Sequence, residues 1–106
     1  MDAPPAIISL LTDFGDRDEY VGVMKGVLLR HAPHAVLVDL CHHIMPHDIG
    51  QAAAMIAAAY RFFPEGTLHV IVVDPGVGGQ RDIVFAQAQS CGFLCPDNGL
   101  LSGLIA

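Results

Sequence analysis

At 106 residues the chain is sized for one domain with a modest core. Eleven acidic residues against five basic ones, a net charge of −6, exclude the basic face that a nucleic-acid partner requires. The 53% hydrophobic content is high for so small a domain, which implies surface buried in an assembly or against further protein.

No apolar run approaches the ~20 residues of a membrane span. Met1-Asp2-Ala3-Pro4-Pro5 lacks the basic start of a secretory signal, so the expected compartment is the cytoplasm, with no membrane contact. Three cysteines make no disulfide framework, and the spacing of Cys91 and Cys95 fits neither a redox pair nor a zinc motif.

Ala6 to Thr12 reads as an apolar strand after a Pro-Pro entry, followed by the polar loop Asp13 to Asp18. Glu19 to His31 carries apolar residues at helical spacing (Tyr20, Val23, Met24, Val27, Leu28) and stops before Pro33. Ala35 to Leu40 is a second strand. Asp48 is placed to cap an alanine-rich helix through Tyr60, ended by Pro64. Glu65-Gly66 turns into the strand Leu68 to Val73, whose continuous apolar run is of the buried, parallel-sheet kind. Ile83 to Gln89 and Phe93 to Cys95 read as strands separated by Ser90-Cys91-Gly92, and a last helix opens at Leu100. The order β-α-β-α-β-β-β-α predicts an α/β layered fold: a central, largely parallel sheet flanked by helices, in one domain over 1–106. An apolar helix running to Ala106 without a polar tail has the look of a truncation.

Loops at the carboxyl ends of strands are where open α/β sheets place ligands. Asp13, directly after the first strand, can accept two hydrogen bonds from a ribose diol. In the same loop Asp18 is suited to cap the following helix and Asp16 to solvate the loop. The loop lacks the Asp-x-Asp-x-Asp-Gly pattern of a calcium hand. Cys41-His42-His43-Ile44-Met45-Pro46-His47-Asp48 is rich in metal-ligand types, but its spacing matches no zinc motif, and His42 reads as a hydrogen-bonding loop residue. Asp97-Asn98-Gly99 can cap the last helix or face a ligand there. In Asp74-Pro75-Gly76-Val77-Gly78-Gly79-Gln80-Arg81 a carboxylate ends a strand, glycines admit a close ligand, and Arg81 can return as the partner of Asp74. Alone, that pattern also describes an ordinary turn with a surface ion pair.

Together these loops carry a resemblance. Leu11-Thr12-Asp13-Phe14-Gly15, Tyr20 to Gly26 and Val38-Asp39-Leu40-Cys41-His42 match the amino-terminal part of the S-adenosylmethionine hydroxide adenosyltransferase family, which is related to the SAM-dependent chlorinases and fluorinase. Phe63-Pro64-Glu65-Gly66-Thr67, Val73 to Gly78 and Pro96 to Leu101 continue it in order over nearly the whole chain.

The resemblance implies hydrolysis of S-adenosyl-L-methionine (SAM): water attacks C5′ of the adenosyl group, methionine leaves and adenosine forms, with no cofactor and no metal. It implies Asp74 and Arg81 as catalytic residues, and Asp13, Phe14, Asp18, His47 and Asn98 as the substrate-binding set, with Asp13 on the ribose hydroxyls. Halogenating relatives carry Tyr-Pro-Ala-Thr or similar where this chain has Asp74-Pro75-Gly76-Val77, which implies the hydroxide branch. The family's catalytic histidine and a carboxy-terminal β-rich domain fall beyond residue 106. That domain completes the adenine pocket across a homotrimer interface, so the resemblance implies a fragment that is inactive alone. His43 stands where relatives have Asp, His47 where an aromatic is common, and Asp82 replaces a second arginine. The rival readings are a catalytically silent SAM- or nucleoside-binding module, and a small metal-binding protein built on Cys41, His42, His43 and His47.

Overall fold

The computed structural model describes residues 6–74, 82–88 and 90–102. They form β1 (Ile7–Thr12), α1 (Tyr20–His31), β2 (Val36–Cys41), α2 (Ile49–Ala59), β3 (Leu68–Val72), β4 (Ile83–Ala88) and β5 (Cys91–Pro96), with a 3-10 turn at Tyr60–Phe62 after α2. One five-stranded sheet runs in the order β2-β1-β3-β5-β4. β1 pairs in parallel with β2 and β3, β3 in parallel with β5, and only β4 lies antiparallel to its neighbour. The expected α/β layering and largely parallel sheet are both present. The helix expected from Leu100 lies mostly outside the described residues; Leu100 and Leu101 form a turn, with Ser102 beginning helix.

The sheet is buried on both faces by strand alternation. Ile8, Leu10 and Val70 point to one side, where Met24 and Leu28 of α1 pack on them. Leu11, Ile71, Val73, Phe93 and Cys95 point to the other, against Ala52 and Ile56 of α2. Truncating fully buried Ile56 to Ala costs about 2–5 kcal/mol. Asp48 caps α2 as its position in the sequence suggested, accepting from the Gln51 amide at 2.9 Å.

Three local expectations need correction. Asp18 does not cap α1: the cap position is Glu19, and no side-chain cap bond forms. The apolar spacing of α1 does not mark one buried stripe. Met24 and Leu28 meet the sheet, whereas Tyr20, Val23 and Val27 form an exposed outer row and no α1 residue is fully buried. Cys91 and Gly92 are strand, not linker, because β4 and β5 form a tight hairpin pairing Ala88 with Cys91 and Gln87 with Gly92. Ser90 takes the turn at φ 76. Gly92 lets the Phe85 ring lie over the strand, since a Cβ would stand 2.9 Å from that ring and displace it.

Among the described residues no helix is long and apolar enough to cross a membrane. Phe62, Ile83, Met45 and Phe85 are exposed apolar side chains, in line with the high hydrophobic content.

Candidate functional site

The chain leaves β1 for β2 on one side, then crosses back to place β3 on the other side of β1. That reversal makes a topological switch point between β1 and β3, where open α/β sheets leave a crevice at the strand ends. Parallel pairing of Thr12 with Val72 brings Asp13 and Asp74 to the same end of the sheet on the two sides of the reversal. β2 ends beside β1, so His42 joins them, and the Asn98 amide Nδ2 donates to the Val73 carbonyl at 2.9 Å. The four strand-end loops therefore gather at one pole, as their positions in the sequence led us to expect.

Asp13 is half-buried, and its Oδ2 accepts the His47 amide at 2.9 Å. Oδ1 has no hydrogen-bond partner among the described residues, which leaves it available to a ligand hydroxyl. His47 reaches this position in the left-handed region at φ 64, uncommon for a residue with a side chain. Phe14 packs its ring 6.1 Å from that of Tyr20. Asp18 is fully on the surface side of the loop, away from any capping role. Asp74 is buried at 6% exposure. Its expected partner Arg81 lies outside the described residues. A cavity of about 100 Å³ opens beside Asn98, Gly99 and Leu100.

A hydrogen-bonded row that sequence reasoning missed underlies the Asp13 loop. Lys25 Nζ of α1 donates to Asp39 Oδ2 at 2.8 Å, and Asp39 Oδ1 lies 2.7 Å from His42 Nε2. His42 Nδ1 lies 2.8 Å from the hydroxyl of Thr12, a residue with no solvent exposure, and that hydroxyl accepts the Phe14 amide at 3.1 Å. The Lys25 bond, followed by that of His42, holds the Asp39 carboxyl below its usual range.

A backbone irregularity makes the row possible. Residues 39 and 42 of a regular strand would face opposite sides of the sheet. The β1–β2 register slips between Leu10 and Leu11, which pair with Asp39 and Cys41, so Leu40 is an extra residue and both side chains come to one side.

The histidine-rich loop disperses its ligand types. His42 binds Thr12 and Asp39, His43 lies 3.5 Å from Asp16, and the Cys41 sulfur accepts the His43 amide. Among the described residues no three His, Cys, Asp or Glu side chains are placed to hold a metal ion. Cys91 and Cys95 are free and buried, and burial, then the charge of Asp97, pushes the Cys95 thiol up to about 11. Such a thiol is a poor nucleophile.

Fold and loops together define a doubly wound α/β domain with a polar, carboxylate-bearing ligand pole at its switch point. The chain belongs to the family of the SAM hydroxide adenosyltransferase N-terminal domain, whose model matches residues 8–106. It is 42% identical over 95 residues to the (R)-S-adenosyl-L-methionine hydrolase of Thermus thermophilus, covering 90% of this chain and 37% of that protein. It is 36% identical over 72 residues to the fluorinase of Nocardia brasiliensis, covering 68% of this chain and 24% of the other. Among solved structures, a conserved Thermotoga maritima protein aligns with a TM-score of 0.85 at 38% identity, over 92% of this chain and 38% of its own. The chain thus spans well under half the length of the relatives it matches.

Proposed function

We propose that this chain is the substrate-binding and water-positioning part of a SAM hydrolase that forms adenosine and L-methionine. The observation that carries the reading is the placement of Asp13 and buried Asp74 on the two sides of one switch point. The names of relatives at about 40% identity, (R)-S-adenosyl-L-methionine hydrolase, support the choice of substrate.

In this reading Asp13 takes the ribose hydroxyls, with Phe14, Asp18, His47 and Asn98 around the substrate. Asp74, partnered by Arg81, holds water in line with C5′ and accepts its proton. The C5′–O bond forms as the C5′–S bond breaks, and the bonding pair passes to the positive sulfur, giving the neutral thioether of methionine. The sulfonium needs no acid to leave, so the chemistry calls for neither metal nor cofactor. A cytoplasmic homotrimer is the assembly that goes with this reading.

The test is incubation with SAM of the protein alone, and of residues 1–106 joined to the remaining length of the Thermus thermophilus relative. The joined protein is expected to release adenosine and methionine in equal amounts, and Asp74→Asn to lower turnover by about 10²-fold or more. Asp13→Ala should weaken SAM binding by about 1.5–3 kcal/mol. SAM binding without adenosine release would favour a silent binding module, and neither binding nor release would overturn the reading.

A further inference from the structure

We propose that His42 is a positioning residue: Asp39 and Lys25 lock it in one tautomer, and through the Thr12 hydroxyl it aims Asp13 at the ligand. The proposal rests on the reading of Asp13 as a ligand-binding carboxylate.

The donor directions along the row follow from its ends. Lys25 can only donate, and a carboxylate can only accept, so Asp39 receives Lys25 on Oδ2 and His42 on Oδ1. His42 Nε2 therefore carries the proton, and Nδ1 of the neutral ring is a bare acceptor. Among the described residues, the polar hydrogen facing Nδ1 is that of Thr12 Oγ1 at 2.8 Å, so the hydroxyl donates to the ring. A threonine hydroxyl has one hydrogen, and with it committed, the lone pairs turn to the Phe14 amide, which donates at 3.1 Å. Lys25, His42, Thr12 and the Phe14 amide each donate in turn with no conflict. Thr12 has no solvent exposure, so no bulk water can replace His42 as the acceptor.

Asp13 stands between the two groups that this row and its neighbours fix. The Phe14 amide is tied to Thr12 on one side, and the His47 amide holds Oδ2 on the other. The Gly15 amide donates to the His42 carbonyl at 2.7 Å, and the Ile44 amide to the Thr12 carbonyl at 3.4 Å, so the β1 and β2 loops are also bound backbone to backbone. Among the described residues, His42 is the side chain that joins Asp39 on β2 to the Asp13 loop. A binding carboxylate held this way reaches the ligand without first being ordered.

The substitutions separate positioning from mere tethering. His42→Asn keeps an acceptor for Thr12 and gives up Asp39, whereas His42→Gln keeps a donor to Asp39 and gives up Thr12. With adenosine as the probe, titrated calorimetrically into the protein, His42→Gln and Thr12→Val are each expected to weaken binding about 10-fold, the worth of one hydrogen bond. His42→Asn should keep most of the affinity, and Thr12→Val combined with His42→Gln should be no worse than either alone. His42→Gln binding as the parent does, or His42→Asn losing as much as His42→Gln, would overturn the proposal. In the unsubstituted protein, long-range proton–nitrogen spectra should show His42 protonated on Nε2 only. A proton on Nδ1 in the neutral ring would overturn the proposal whether or not any variant folds. Asp13→Ala is the control: if it weakens adenosine binding and His42→Gln does not, only the positioning role fails. If Asp13→Ala changes nothing, or the parent binds no adenosine, the reading of Asp13 fails and the proposal falls with it.

Discussion

His42, in the loop after β2, and His69, within β3, solve opposite problems. His42, at the ligand pole, has a partner on each ring nitrogen, one of them a carboxylate that also pairs with Lys25. His69 lies in β3 with no solvent exposure, its Nδ1 at 2.5 Å from the Ser9 hydroxyl and its Nε2 without a partner among the described residues. Phe93 stacks on the His69 ring at 5.3 Å and Phe63 meets it edge-on at 5.1 Å. Burial between the two phenyl rings disfavours the charged ring and lowers the His69 pKa. One histidine is part of a polar device, and the other serves as an aromatic core residue with a single hydrogen bond.

The largest effect expected from breaking this contrast is at His69. Truncation to Ala empties the space between two rings and should cost about 3 kcal/mol in chemical denaturation. A smaller loss would show that Phe63 and Phe93 collapse together. Ser9→Ala comes next, at about 1–3 kcal/mol, because His69 would be left with neither nitrogen satisfied.

The pH dependence follows in size. Unfolded histidine titrates near ~6.5, and His69 in the folded protein titrates lower. The unfolded chain therefore binds more protons between the two values. The stability that His69 contributes is complete above ~6.5 and is lost as pH falls toward the folded value, by at most about 1.4 kcal/mol per pH unit. The double variant Ser9→Ala with His69→Phe should lack this limb in melts between about pH 6.5 and 5. Persistence of the limb would assign it to another group. Asp39 also contributes stability, but its contribution is lost only below about pH 4, as pH falls through its lowered value, so its loss begins at lower pH than that of His69. The smallest effect is expected at Lys25→Ala: its partly exposed pair with Asp39 contributes about 0–1 kcal/mol, so the melting curve should barely move. A large loss there would make the row at His42 a stability element and not only a loop-aiming one.

The relation between sequence and structure follows the same division. β3 was legible because its apolar run fits only a strand covered on both sides, and α2 because Asp48 precedes an alanine-rich run. The ligand pole was legible for a similar reason: Asp13, His42, Asp74 and Asn98 each follow a strand, and parallel pairing sends those strand ends the same way. Residues distant in sequence that meet across strands were not legible. Ser9 and His69 face each other because β1 and β3 are neighbours in register, which no local pattern of either strand encodes. The His42 row needed the extra residue at Leu40, since strict alternation places Asp39 and His42 on opposite faces. A charged Asp39 within an otherwise apolar strand was the available signal, and it pointed to a partner without naming one.

By itself the sequence determined which segments are strands and helices and which strand ends carry polar groups, because periodicity, capping and turn chemistry act within a few residues. Only the tertiary structure decided the order β2-β1-β3-β5-β4, the bulge at Leu40 and hence the partners of both histidines. Those depend on which strands lie side by side and in what register, and contacts spanning 30 residues for Thr12 and His42, or 60 for Ser9 and His69, are fixed by packing of the whole sheet.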